Sequence, residues 1–245
     1  MEDKALLSTE VASGAEKAEL FIVIPAYNEA ENIERVVNHL TANFPQYDYV
    51  VVNDGSRDET AAICQRNGYN LLNLPVNLGL AGAFQAGLKY ADKYGYQYAV
   101  QLDGDGQHRP EYLESMIKKM EEGYDIVIGS RFVGEKKPFT MRMLGSNLIE
   151  MAIRFTTGVN IKDPTSGMRM FSKRMIREFA SGLNYGPEPD TVSYLIRQGA
   201  RVAEVPVIMD ERILGVSYLT PVNAMRYMLK MLISILLIQN FRKRR

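Results

Sequence analysis

Leu20-Phe21-Ile22-Val23-Ile24-Pro25 is a continuous apolar run closed by a proline. Without polar alternation, such a run suits a central strand buried on both faces. Residues 29–40 follow, with Ile33, Val36, Val37 and Leu40 at helical spacing. That pattern predicts a helix with one apolar face. The unit then recurs. Residues 47–52 read as a strand, Asp54 to Asp58 as a turn, and 59–67 as a helix with Asp58 as N-cap. Strand 69–74 and helix 82–94 follow, then strand 98–102 and helix 110–122, with Pro110 near N1. Residues 125–129 and 202–208 are further strands. This alternation predicts an α/β domain on a mainly parallel central sheet, with helices on both faces.

Bulk properties bound what such a domain can do. The 245 residues suffice for one sizeable α/β domain. Residues 1–19 read as a polar tail, 20–220 as the domain and 221–245 as a separate C-terminal segment. Lys+Arg and Asp+Glu both number 29, which gives no reason to expect bulk nucleic-acid binding. Cys64 is the single cysteine, so no intramolecular disulfide can form. With only His39 and His108 beside it, a Cys/His zinc site is excluded in practice. A bound metal would be a hard, oxygen-liganded ion such as Mg²⁺ or Mn²⁺. No basic n-region precedes an apolar stretch at the N-terminus, so a cytoplasmic location is expected.

Ligands of such sheets bind beyond the carboxyl ends of the strands. Four segments occupy those ends: Pro25-Ala-Tyr-Asn-Glu29, Asn53-Asp-Gly-Ser56, Asp103-Gly-Asp-Gly-Gln107 and Ser130-Arg131. Asp103 and Asp105 flank a single glycine just past a buried strand, and two carboxylates so spaced can direct oxygens at one hard cation. Gly104 and Gly106 let the backbone approach a ligand. The alternative is an ordinary Asp-Gly turn between strand and helix. Tyr27 can stack on a base and Glu29 can accept from ribose hydroxyls or base N–H groups; alternatively Asn28 or Glu29 simply starts the helix. Asp54 offers a second acid at a strand end, or a local cap.

Pro-Ala-Tyr-Asn-Glu, Asn-Asp-Gly-Ser-x-Asp, Asn-Leu-Gly and Asp-Gly-Asp-Gly-Gln, in this order, resemble the family 2 glycosyltransferases of GT-A fold over about residues 20 to 135. The resemblance implies a nucleoside-diphosphate-sugar donor, a divalent metal and inversion at the anomeric carbon. It places Pro25, Tyr27, Glu29 and Asp54 around the nucleoside, and Asp103 and Asp105 on donor and metal, with Gly104 between them and Gln107 as a further metal ligand. Asn77 and Gly79 fit the donor pattern, whereas Leu80 stands where many relatives carry Lys or Arg.

The second half is similar to the polyprenyl-phosphate glycosyltransferases, which include dolichol-phosphate mannose and glucose synthases. The similarity rests on Ser130-Arg131, Asp163-Pro-Thr-Ser-Gly-Met-Arg169, Gln107 and Arg212-x-x-Gly215-x-Ser217. It implies a lipid monophosphate acceptor, whose oxygens suit arginine forks. Arg131, Arg169 and Arg212 are the candidates for that phosphate and the departing diphosphate, with Asp163 as a catalytic base or as the organiser of the arginine loop. A phosphate monoester, with a second pKa of about 6, needs no strong base. The alternative acceptor is a hydroxyl of a growing glycan. It would need a carboxylate base, for which Asp163, Glu188 and Asp190 are available.

Residues 225–241 are strongly apolar, interrupted by Arg226 and Lys230 and closed by Arg242-Lys-Arg-Arg245. The uninterrupted part falls well short of the roughly twenty residues that a spanning helix needs. This predicts an amphipathic helix on the cytoplasmic face of a membrane, or one packed in the core, in an oligomer or against a membrane-protein partner.

Overall fold

The computed structural model describes residues 19–135, 137–138, 140–182, 186–210 and 221–240. In chain order the first elements are β1 (Leu20–Ala26), α1 (Ile33–Asn43), β2 (Asp48–Asp54), α2 (Thr60–Arg66), β3 (Leu71–Leu74), α3 (Gly79–Tyr94) and β4 (Tyr98–Gln101). A 3₁₀ turn at Pro110–Tyr112 leads into α4 (Leu113–Glu121), β5 (Ile126–Ser130) and α5 (Met141–Thr157). Then come β6 (Arg169–Ser172), α6 (Lys173–Ser181), α7 (Pro189–Arg197), β7 (Val202–Pro206) and α8 (Pro221–Leu236). The strands are mostly parallel and the helices surround them, as the alternation predicted.

The described residues fall into two compact units. The first comprises those within Met1–Pro110, Met170–Gly186 and Asp210–Gly215. Its strands run in the order β3-β2-β1-β4-β6. Pairs β2/β3, β1/β2 and β1/β4 are parallel, and β4/β6 is antiparallel. Leu20 to Ile24 are each at most 1% exposed, so β1 is the buried centre anticipated from its apolar run. Burying each such side chain contributes about 1.5–3 kcal/mol. Phe84 of α3 meets Phe171 of β6 and Phe179 of α6, with ring centroids 5.6 and 6.3 Å away.

Several element boundaries shift from the sequence reading, among them those of β3, α3 and β7, and three differences have a local reason. First, β1 continues through Pro25 to Ala26. Its ladder to β4 has already ended at Val23, so the missing proline N–H leaves no sheet partner wanting there. Second, α1 starts at Ile33 rather than Glu29. Residues 30–32 form a turn first, in which the Glu29 carbonyl accepts from both Asn32 N and Ile33 N. Third, β6 escapes the sequence reading because Arg169-Met-Phe-Ser172 is neither a continuous apolar run nor an alternation long enough to mark a strand.

The second unit comprises the described residues of Glu111–Arg169, Pro187–Met209 and Val216–Arg245. Strands β5 and β7 pair in parallel, from Ile126↔Val202 to Ser130↔Pro206. Helix α4 turns Leu113, Met116 and Met120 inward and packs on both strands. Helix α7 is buried from Thr191 to Ile196, and α5 and α8 pack on it and on each other. Gly145 of α5 sets that approach: a Cβ there would lie 2.7 Å from Met228 Cγ on α8.

Candidate functional site

In the first unit, three strand-end loops are tied together by short polar contacts. Asn28, with φ of 56°, donates its amide to Ser56 Oγ, while its Oδ1 accepts from Arg57 N. Glu29 N donates to Thr60 Oγ1, and Ala30 N to Asp58 Oδ2. Asp58 Oδ1 also accepts from Thr60 N at 3.0 Å, so it both caps the start of α2 and reaches back to the first loop. Asp54, buried, takes Leu78 N at 2.7 Å on Oδ1, and Asn77 Nδ2 donates to the Asp54 carbonyl. Asn77 Oδ1 accepts from Gly79 N, where α3 begins. Pro25, Tyr27, Glu29, Asp54, Asn77 and Gly79 thus belong to one connected rim. Leu80 is exposed beside it.

The Asp103–Gln107 loop joins this rim at a place where only glycine fits closely. A Cβ on Gly104 would stand 3.1 Å from the Pro25 carbonyl oxygen, tighter than ordinary contact. Asp103 is partly exposed; its Oδ1 accepts from Gln101 Nε2 at 2.9 Å. Its amide donates to His108 Nδ1 at 3.0 Å, so the proton of a neutral His108 ring sits on Nε2, which lies 3.6 Å from Asp103 Oδ2. Asp105 is buried, with Oδ1 taking Gln107 N at 3.0 Å and its carbonyl taking Arg35 Nη2 at 2.9 Å. Gln107 donates through Nε2 to the Asp210 carbonyl, and Asp210 N donates back to the Gln107 carbonyl. Arg109 grips the Asp210 carboxylate with Nε and Nη2. Its guanidinium holds that carboxyl below the usual range.

Arg35, His108, Arg109 and Asp210 are therefore the side chains that the sequence reading missed. His108 directly follows the Asp-Gly-Asp-Gly-Gln run, which is a usable signal. Asp210 lies far from that run in sequence and carries none. Among the described residues no cluster of three or more His, Cys, Asp or Glu side chains is placed to hold a metal ion.

In the second unit, Asp163 is fully buried and holds Arg131 at three points: Nε at 2.7 Å, Nη2 at 2.8 Å and the backbone N at 3.1 Å. Glu204 of β7 fixes the loop by accepting from the amides of Lys162 and Asp163, both at 2.8 Å. Ser166 Oγ donates to the Gly129 carbonyl at 2.5 Å, which binds the same loop to β5. Arg169 is 3% exposed; Nη2 donates to the Pro164 carbonyl, and its buried Nε has no partner among the described residues. Burial pulls its guanidinium below the ordinary value, while Glu188, Tyr227, Asp163 and Asp190 oppose that pull. Tyr227 Oη donates to Glu188, and Ser234 Oγ donates to Asp190 Oδ2 at 2.6 Å. Burial, then the charge of Glu188, raises the Tyr227 hydroxyl far above its usual pKa. Arg212 and the rest of its motif lie outside the described residues.

Comparison with known proteins identifies what these loops resemble. The model of glycosyl transferase family 2 matches residues 21–179. The polyprenol monophosphomannose synthase of Mycolicibacterium smegmatis is 32% identical, over 85% of this chain and 84% of that protein. The undecaprenyl-phosphate mannosyltransferase of Micrococcus luteus is 31% identical, over 80% of this chain and 85% of that protein. Glucosyl-3-phosphoglycerate synthase from Mycobacterium tuberculosis, solved with Mn²⁺, UDP and glucosyl-3-phosphoglycerate, superposes with a TM-score of 0.65. It is 19% identical and the match covers 90% of this chain and 79% of that one, which establishes a shared GT-A fold.

Proposed function

This chain belongs to glycosyl transferase family 2, and from that premise we propose that it moves a sugar from a UDP- or GDP-linked donor to a polyprenyl phosphate, with inversion. The observation that carries the acceptor is the state of the carboxylates a hydroxyl acceptor would need as base. Asp163 is fully buried and clamped by Arg131, Glu188 takes the Tyr227 hydroxyl, and Asp190 takes Ser234. A phosphate monoester, with a second pKa of about 6, is already an anion at neutral pH and needs none of them. The names of the two relatives, both of which speak of polyprenol or undecaprenyl phosphate chemistry, agree with this choice.

In this reading Tyr27, Glu29 and Asp54 take the nucleoside, with Pro25, Asn77 and Gly79 shaping the rim. Asp103 and Asp105 would hold Mg²⁺ or Mn²⁺, with the Gln107 side-chain amide oxygen as a further ligand. These are hard oxygen donors, and two carboxylates suit an ion that draws its other ligands from water and phosphates. When bound, the ion neutralises charge on the leaving diphosphate. Arg131 has Nε and Nη2 committed to Asp163, which orients the guanidinium and leaves its Nη1 edge for a phosphate oxygen. Arg169, being buried, supports that loop from within, and Arg212 adds a further cation for the phosphates. Residues 222–245 rest on the cytoplasmic face of the membrane; no described helix is long and apolar enough to cross one.

The test is incubation with labelled nucleotide-sugars, a divalent ion and a polyprenyl phosphate. Label should become chloroform-extractable, and label entering only a water-soluble glycan would overturn the acceptor. Asp105→Ala should abolish transfer and leave the melting temperature within a few degrees. Unchanged transfer would remove the metal assignment. A thermal-shift panel of UDP- and GDP-sugars identifies the donor, because specific binding stabilises by mass action.

A further inference from the structure

Helices α5 and α8 each carry an apolar stripe that is exposed among the described residues. On α5, Leu144, Leu148, Met151 and Phe155 are exposed, and Phe155 is 86% accessible. Their spacing of four, three and four residues places them on one side of a helix. On α8, Met225, Leu229, Ile233 and Leu236 are exposed at equivalent spacing. The opposite sides of the same helices supply Ile149, Ala152 and Ile153, and Met231 and Ile235, to the core. The stripes adjoin one another. Gly145 lies against Met228, with Leu144 and Leu148 flanking the first and Met225 and Leu229 flanking the second. Contiguous apolar surface of this extent on a soluble domain marks a binding face.

We propose that α5 and α8 together form one lipid-binding plate that enters the surface of an anionic bilayer. The charges select this occupant. Arg154 of α5 and Arg226 and Lys230 of α8 are exposed around the stripes, and α8 contains no acidic residue. The one acid of α5, Glu150, is bound by Lys137 Nζ at 2.7 Å. Arg242-Lys-Arg-Arg245 extends the same sign. A second copy of the chain would bring like charges together, whereas anionic headgroups complement them. The C-terminal segment is then half of the contact, and α5, from the middle of the chain, supplies the other half. The inference rests on the lipid-acceptor reading for its purpose, but vesicle binding measures it without any turnover.

The full chain is floated with phosphatidylglycerol or phosphatidylcholine vesicles. Binding to phosphatidylglycerol is expected, weakened by salt and by Arg226→Glu/Lys230→Glu. Met151→Glu/Phe155→Glu should lower the bound fraction at least tenfold with an unchanged melting temperature, while transfer to a short, water-soluble polyprenyl phosphate continues. Two results overturn the plate: wild-type protein that binds neither vesicle, or a Met151→Glu/Phe155→Glu variant that binds like wild type. Wild type that is dimeric by light scattering, made monomeric by the same pair and indifferent to vesicles, gives the face to a second copy and also overturns it. Vesicle binding lost in the α5 variant and weakened in the α8 variant, with no glycolipid formed by wild type, supports the plate and removes the acceptor reading alone.

Discussion

Asp163→Ala should destabilise the protein strongly although it deletes only one small side chain. The carboxylate is inaccessible to water and accepts two charged hydrogen bonds and one amide from Arg131. Removing one partner of a buried pair typically costs about 3–5 kcal/mol, because the other charge is left buried. The Arg131 side chain is 25% exposed, so water partly rescues the stranded guanidinium and the lower end applies, about 3 kcal/mol. In a protein of this size each kcal/mol shifts Tm by about 2–4 °C, giving a loss of roughly 6–12 °C. Arg131→Ala should be at least as severe, since the stranded group is then a carboxylate with no solvent at all. The double variant Asp163→Leu/Arg131→Met should recover much of the loss, because an apolar pair carries no desolvation penalty. Circular-dichroism melts of the four proteins decide this. A drop below about 2 °C for Asp163→Ala would refute the argument that the pair is the fixed point of this loop.

Two further predictions concern single groups. Cys64 is fully buried and burial pushes its thiol up to about 11, so an aromatic disulfide reagent at about pH 8 should find no thiol in the native protein and one after denaturation; rapid native labelling would contradict the burial. Asp58 is held below the ordinary carboxylate range: burial alone would raise it, but hydrogen bonds from the Thr60 hydroxyl and amide and from Ala30 outweigh that. A depressed folded-state pKa gives stability that is complete above the unfolded pKa of about 3.9 and lost as pH falls through the folded value. Urea melts of wild type and Asp58→Asn should therefore differ by a constant amount above about pH 5 and converge below about pH 4; a constant gap down to acid pH would contradict the depressed folded-state value.

The residues that name the fold carry their information locally. A run such as Leu20 to Ile24, closed by a proline, suits a central strand, and the strand-end motifs follow directly from the chain's alternation. Hence the parallel arrangement and the rim from Pro25 to Gln107 were legible without coordinates. Long-range polar pairing was not. Nothing in Asp58 announces that it will reach back to Ala30 N, and nothing in Asp210 announces Arg109 and Gln107. Such bonds depend on which loops meet, and side-chain type alone does not encode that. The same holds for Arg131 and Asp163: the sequence offered Asp163 as a possible organiser of the arginine loop, but not that Arg131 is the arginine it clamps. It holds most of all for the apolar faces of α5 and α8. Periodicity establishes that a helix has an apolar side, but whether that side meets a sheet, another helix or water is settled by what the rest of the chain packs against it.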